Sequence, residues 1–321
     1  MALHASPFQL FYFLVEWFVL QVLRLFQGPS PRTEESVQGK VVVITGANSG
    51  LGKYVADEMA KRGATVVMAC RNMVEGQKAL EEIKRNSGST TVELSELDLS
   101  DVSSIRKCAA SLKSKYPTID ILINNAGISL DCAERRFTKD GFELHLGTNH
   151  LGHFLLTNLL LDNIKKASSG RIITVSSTAA VMSNLNIDNL MLENSGLGLG
   201  NTMPYNNSKL ANALFSKELG KRLNGTRVKT YSVCPGLARS NIFQHYSTTG
   251  KISMGLGKYT FFLPVNKAGD IILFCALAKE LSISSGKMYR FGRQFSSIEP
   301  LLTDHLATAL WEKSEQLVGI Q

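Results

Sequence analysis

The chain is sparing with cysteine: there are five in 321 residues, Cys70, Cys108, Cys132, Cys234 and Cys275, odd in number and scattered. That excludes a disulfide scaffold, and no Cys/His spacing offers a metal site. The five read as free thiols of a reducing compartment. Long runs of one charge are lacking as well. The net charge is +8, yet pairs such as Arg135-Arg136 and Lys165-Lys166 stay short. Dispersed charge of this kind argues against nucleic acid as a partner and suits a dinucleotide or an anionic membrane surface. No internal repeat and no second domain show in the pattern. What is present is apolar: 44% hydrophobic against 19% charged residues, enough to bury a large core without staples.

One apolar run, Leu10 to Phe26, has the length of a marginal membrane span. Glu16 near its centre opposes a simple span, since an acidic group at mid-bilayer costs on the order of 3 kcal/mol. On a helix, Gln9, Glu16, Arg24 and Gln27 share one narrow face, as an in-plane interfacial anchor requires. No Lys or Arg precedes the run and no small-residue cleavage site follows it, which speaks against a secretory signal. The expected division is an anchor at 1–28, a linker at 29–37 and a catalytic domain at 38–321. Arg24 near the end of the run and Arg32 and Lys40 after it would, in a spanning version, leave the body of the protein on the cytosolic side.

From Val41 onward, strand and helix patterns alternate: strands at 41–44, 65–70, 91–98, 119–124, 171–176 and 227–233, with helical text between. Such alternation predicts an α/β fold, a doubly wound parallel sheet of Rossmann type covered on both faces. Ligands of such sheets sit beyond the carboxyl ends of the strands, so the residues there carry the functional reading. After the first strand comes Thr45-Gly46-Ala47-Asn48-Ser49-Gly50-Leu51-Gly52, a tight turn into a helix N-terminus. Unpaired N–H groups and the helix dipole favour an anion there, and Gly50 and Gly52 allow a pyrophosphate to approach the backbone. A plain structural turn fits the same residues. After the second strand stands Arg71, where an NAD-binding fold usually places a carboxylate for the ribose 2′-hydroxyl; a guanidinium suits the 2′-phosphate of NADP(H). The fourth strand ends in Asn124-Asn125-Ala126-Gly127, either an amide floor under a nucleotide or a structural turn.

The fifth strand runs into Ser177, and a later helix opens with Tyr205-Asn206-Asn207-Ser208-Lys209. Tyr205 and Lys209, at i and i+4, lie on one helical face. A lysine cation about 4 Å from a phenol at an effective dielectric of about 20 contributes roughly 4 kcal/mol, about three pK units, enough to make tyrosine a working acid/base near neutrality. Ser177 can then hydrogen-bond a substrate oxygen.

The glycine turn, Asn124–Gly127, Ser177, Tyr205/Lys209 and Pro235-Gly236, in that order over residues 38 to 300, resemble the short-chain dehydrogenase/reductase superfamily. TGANSGLGK, MACRN, LDLSD, LINNAGIS, DGFELHLGTNHLGHFLLTNLLL and YNNSKLANALFSKEL look in particular like its microsomal and photoreceptor retinol dehydrogenases. The resemblance implies four catalytic positions: Tyr205 as general acid/base, Lys209 lowering its pKa and binding the nicotinamide ribose, Ser177 orienting the substrate, and Asn149 holding a water of the proton relay. It implies NADP(H) bound by Gly46, Asn48, Ser49, Gly50, Leu51 and Gly52 of the turn, by Arg71 and Asp98, and by Asn124, Ala126 and Gly127. Tyr205, Lys209, Pro235, Gly236 and Ser240 complete that set. It further implies retinal or lipid-aldehyde chemistry at the cytosolic face of the endoplasmic reticulum, a lipophilic small-molecule substrate, the membrane as partner, and room for a homodimer. A steroid or general carbonyl reductase, or a non-catalytic nucleotide-binding scaffold on a lipid surface, are the alternatives. Two further features take plainer readings, Gly196–Gly200 as a pocket-edge loop and His150 and His153 as core side chains; Tyr259–Leu263 fits a lid over an apolar substrate better than it fits a piece of core.

Overall fold

The β-branched run ahead of the glycines forms β1, Val41–Thr45, whose register against its neighbours sets the rest of the sheet. In order follow α1 (Gly50–Lys61), β2 (Thr65–Cys70), α2 (Met73–Ser87), β3 (Val92–Glu96), α3 (Val102–Lys115) and β4 (Ile121–Asn124). A single π turn, Leu146–Leu151, leads into α4 (Gly152–Lys165), and β5 (Arg171–Val175), α5 (Met203–Arg222) and β6 (Lys229–Cys234) complete the alternation. Then come α6 (Val265–Leu277), β7 (Lys287–Arg290), β8 (Arg293–Gln294) and α7 (Asp304–Val318). The computed structural model describes residues 33, 35–130, 135–193, 202–236, 238, 242 and 262–320. The expected anchor at 1–28, the glycine loop 196–200, residues 259–261 of the expected lid, Ser240 and Cys132 lie outside these. Among the described residues no helix is long and apolar enough to cross a membrane.

Among the described residues the sheet has eight strands in the order β3-β2-β1-β4-β5-β6-β7-β8, parallel except for β8. The chain runs outward from β1 through β2 and β3, then returns to pair β4 on the other side of β1. That reversal opens a crevice at the carboxyl ends of β1 and β4, where ligands of open α/β sheets bind. Alternate residues of the strands feed two cores. Val42, Ile44, Val66 and Met68 pack with α1, α2 and α6, while Val43, Val67 and Leu122 pack with α3, α4, α5 and α7. Strands buried on both faces need apolar residues at nearly every position, which is why they read as continuous runs.

The strand boundaries match the sequence reading to within two residues: β2 coincides with it, and β3 and β6 differ at both ends. β7 and β8 escaped prediction because KMYR and RQ carry too little apolar text to signal a strand; β7 is defined by its pairing with β6. α5 is buried on almost every side because α7 closes over it. Trp311 stacks on Phe215 at 5.7 Å and meets Phe154 edge-on at 4.8 Å, ring to ring. This surrounds the helix that carries Tyr205 and Lys209 with a rigid aromatic packing.

Candidate active site

The turn after β1 has the shape its glycines allow. Gly46 and Gly50 adopt φ of +66° and +55°, the left-handed region that favours glycine. At Gly52 a Cβ would collide with the Gly46 carbonyl oxygen, so α1 packs hard against the turn only because no side chain is there. Ser49 caps α1 with no side-chain bond to the first turn, whereas Asn72 and Asp101 cap α2 and α3 through their side chains. The first N–H groups of α1 thus keep their donors for an anion, and no acidic residue stands in that turn to repel one. Beneath the turn, the Cys70 thiol accepts from the N–H groups of Ala47 and Asn48; burial pushes it up to about 11, so it stays a neutral thiol.

Thr45 ties this turn to the end of β4. Its hydroxyl oxygen accepts from the N–H groups of Asn125 and Ala126, both at 2.9 Å, and Asn125 Nδ2 donates to the Thr45 carbonyl at 2.8 Å. Asn124, which the sequence reading placed under the nucleotide, turns inward: it is fully buried and donates to Thr157 Oγ1 at 2.9 Å. Asn125 is the amide that faces the glycine turn. Asp98, after β3, holds Ser100 through one carboxylate oxygen, at 2.9 Å to its N–H and 2.6 Å to its hydroxyl. Arg71, after β2, is exposed, with no hydrogen bond or ion pair to its guanidinium among the described residues. The nearest downstream carboxylate, Glu75, is engaged with Lys78 at 2.8 Å.

The proton-handling residues assemble where β5 meets α5. Tyr205 is half-buried in the first turn of α5, and Lys209 lies one turn on, 2% exposed, its Nζ 5.6 Å from the Tyr205 ring centroid. The Lys209 ammonium donates to the Val175 carbonyl at 3.2 Å, and burial lowers its pKa to about 8. Ser176 donates to the Lys209 carbonyl at 2.7 Å, fastening α5 to the end of β5. Ser177 follows, half-buried, its Oγ accepting from the Ala179 N–H at 3.1 Å, which fixes the side chain at the start of the turn Thr178–Met182. Asn149, fully buried in the π turn, grips the main chain of Ile128 with both amide ends, at 2.8 and 3.0 Å. It also donates to Ser208 Oγ at 2.9 Å, and Ser208 donates to the Tyr205 carbonyl at 2.7 Å. The Asn149 amide thus braces the β4 loop against α5. Pro235 and Gly236 follow β6; Gly236 has φ +80° and backs onto Leu263.

The structure therefore gathers Gly46–Gly52, Ala126, Gly127, Asn149, Ser177, Tyr205, Lys209 and Pro235-Gly236 around the carboxyl ends of β1, β4, β5 and β6, with Arg71 and Asp98 at the ends of β2 and β3. Thr45, Ser176 and Ser208 take no role of their own from the sequence, and Asn125 appears there only as one of two amides after the fourth strand. Their signal was polarity at the ends of buried elements, where each such group needs a partner.

The sequence profile for short chain dehydrogenases matches residues 40–189. Human retinol dehydrogenase 12 is 40% identical over 301 residues, 94% of this chain and 93% of that protein. Human retinol dehydrogenase 11 is 38% identical over 312 residues, 96% of this chain and 95% of that one. Among solved structures, an uncharacterized protein from Mycobacterium paratuberculosis has a TM-score of 0.70 at 34% identity, covering 89% of this chain and 96% of its own. A short chain dehydrogenase from Shigella flexneri, complexed with NADP, has a TM-score of 0.64 at 18% identity, covering 81% and 100%, a likeness of fold alone.

Proposed function

The chain belongs to the short-chain dehydrogenase family, and from that premise we propose that it interconverts a lipophilic alcohol with its aldehyde or ketone using NADP(H), with retinol/retinal or a lipid aldehyde as substrate. Membership makes it an oxidoreductase acting on CH–OH groups with a nicotinamide cofactor. The residues present fit that group: a turn held open by Gly46, Gly50 and Gly52, uncapped N–H groups at α1, and a buried lysine beyond β4 and β5.

The observation that carries the chemistry is the Lys209 ammonium, 5.6 Å from the Tyr205 ring and too buried to be a solvated surface charge. When bound, the nicotinamide supplies or takes up the hydride. Tyr205 moves the proton at the substrate oxygen, donating it in reduction and accepting it in oxidation. The Lys209 cation favours the phenolate that remains after donation. Ser177 holds the substrate oxygen against Tyr205, and Asn149 with Ser208 holds the first turn of α5 in place.

Arg71 supports NADP(H) over NAD(H), because an exposed guanidinium after β2, with no partner among the described residues, suits a bidentate hold on the 2′-phosphate. The names of the two human relatives support a retinoid, and the apolar run at 10–26 supports membrane attachment at the endoplasmic reticulum with the catalytic domain facing the cytosol. The test is NADPH oxidation by membranes carrying the full chain, offered retinal, medium-chain aldehydes and ketosteroids side by side, with Tyr205→Phe as control. Turnover of retinal or aldehydes that Tyr205→Phe abolishes, while NADPH still binds, is the expected result. Preference for ketosteroids would make the protein a steroid or general carbonyl reductase, and no turnover of any of the three would leave a nucleotide-binding scaffold.

A further inference from the structure

The geometry points to His153 as a positioning residue, a strut that joins the nucleotide turn at Thr45 to Asn149 and through it to the Tyr205 helix. The role rests on the nicotinamide-dependent reading above and adds a residue to it. Thr45 Oγ1 accepts two N–H groups, those of Asn125 and Ala126. Both its lone pairs are then in use, so its proton needs an acceptor: the Ile123 carbonyl stands at 3.5 Å, and His153 Nε2, at 2.8 Å, is the nearer. A ring nitrogen that accepts a hydrogen bond carries no proton. His153 is 1% exposed, and burial lowers its pKa to about 4, with the Lys209 cation adding to the effect and neutral His150 as its other titratable neighbour. The ring is neutral, so its one proton sits on Nδ1 and is donated to the Asn149 carbonyl at 2.9 Å.

Each bond in this path has one possible direction. Thr45 donates to His153, His153 to Asn149, Asn149 through its amide to Ser208, and Ser208 to the Tyr205 carbonyl. The path runs from the residue preceding Gly46 to the first turn of α5, through elements more than a hundred residues apart in the chain. A leucine or phenylalanine would fill the same space in the core; only an imidazole with these two nitrogens connects a hydroxyl donor to a carbonyl acceptor across it. The strut sets the distance between the nucleotide and the proton donor, which hydride transfer depends on steeply.

Two substitutions separate its ends. In His153→Gln the terminal amide reaches the position of Nε2 and can still accept from Thr45; in His153→Asn the shorter amide reaches the position of Nδ1 and can still donate to Asn149. With the full chain in membranes or detergent, NADPH affinity by fluorescence, kcat at saturating NADPH and the melting temperature are compared for these two and His153→Phe. The expected pattern is crossed: Gln lowers kcat about tenfold with a smaller effect on NADPH affinity, Asn weakens NADPH about tenfold with a smaller effect on kcat, and Phe does both. Affinity and kcat moving together in all three in step with the melting temperature, or not moving at all, would reduce His153 to a core side chain. Nitrogen NMR of the unsubstituted protein needs no folded variant: protonated Nδ1 with bare Nε2 at neutral pH is required, and the opposite tautomer overturns the strut. An unsubstituted protein that neither binds NADPH nor reduces a carbonyl defeats the functional reading instead, so the two failures are distinct.

Discussion

Gly127 and the Lys209 ammonium share one space: a Cβ on Gly127 would stand 3.3 Å from Lys209 Nζ and 3.4 Å from Asn149 Oδ1. The glycine lets the end of β4 lie directly over the buried cation. Gly127→Ala carries no left-handed strain, so the methyl group acts only by pushing the ammonium and amide back by a few tenths of an ångström. A fall in kcat of about tenfold with little loss of melting temperature is expected, since small misplacements at a reacting centre cost rate more than stability. Steady-state kinetics and a thermal melt check both halves.

Lys209 costs the fold stability. Its folded pKa is about 8 against an ordinary 10.5, lowered by burial. Between those values the unfolded chain binds a proton that the folded chain lacks, so stability rises with pH from 8 to 10.5; below 8 a charged amine is held in the core at a cost on the order of 3 kcal/mol. Lys209→Met, similar in volume, is expected to abolish turnover yet raise the melting temperature of the nucleotide-free protein by several degrees at pH 7, by an amount that shrinks above pH 8. A lower melting temperature at pH 7 would mean that the Val175 carbonyl compensates the charge.

Two buried histidines contribute to the acid limb of stability. Burial holds His150 at about 3 and His153 at about 4, below the ordinary 6.5. As pH falls through 6.5 the unfolded chain gains protons that the folded chain refuses, so stability present above pH 6.5 is lost toward pH 4. His150→Phe removes one of these protons at the cost of the 3.0 Å bond from His150 Nε2 to Ser314 Oγ. Urea midpoints at pH 7, 6 and 5 should fall more steeply in the unsubstituted protein than in this variant; equal slopes would mean that His150 takes up its proton as readily in the folded protein as in the unfolded chain.

Arg71 carries the choice of cofactor. Arg71→Asp places a carboxylate where the 2′-phosphate would sit and offers the 2′-hydroxyl a partner. The ratio of kcat/KM for NADPH over NADH should drop by about a hundredfold, roughly the loss of one bidentate charged contact plus a repulsion. An unchanged ratio removes Arg71 from the role.

At the opposite end of β5, Arg171 is 5% exposed and donates to the carbonyls of Cys275 at 3.1 Å and Ala278 at 2.6 Å, closing the C-terminus of α6. Its charge meets the negative end of a helix instead of a carboxylate. Arg171→Met should destabilise by about 2–4 kcal/mol, because those carbonyls lose their donor inside the core. Chemical denaturation measures this, and NADPH affinity should stay within twofold since the site lies at the other end of the strands.

Much of this molecule was legible before it folded. Six of the eight strands, the glycine turn and the shared face of Tyr205 and Lys209 came from period and spacing, which are local properties. β7 and β8 were not, because a four-residue strand of mixed polarity is stabilised by its neighbour and leaves no periodic trace. The two asparagines after β4 looked alike in sequence; only the packed sheet turns Asn124 toward Thr157 and Asn125 toward Thr45.

The amino-acid sequence by itself determined which residues could carry hydride chemistry and in what order they come, because a helix places i and i+4 together and a glycine turn frees its own N–H groups wherever they occur. Tertiary structure alone decided that Lys209 is desolvated, that Gly127 lies against it, and that a neutral His153 spans Thr45 and Asn149. Desolvation and close approach are sums over elements far apart in the chain, and they exist only once β1, β4, β5 and α5 have met.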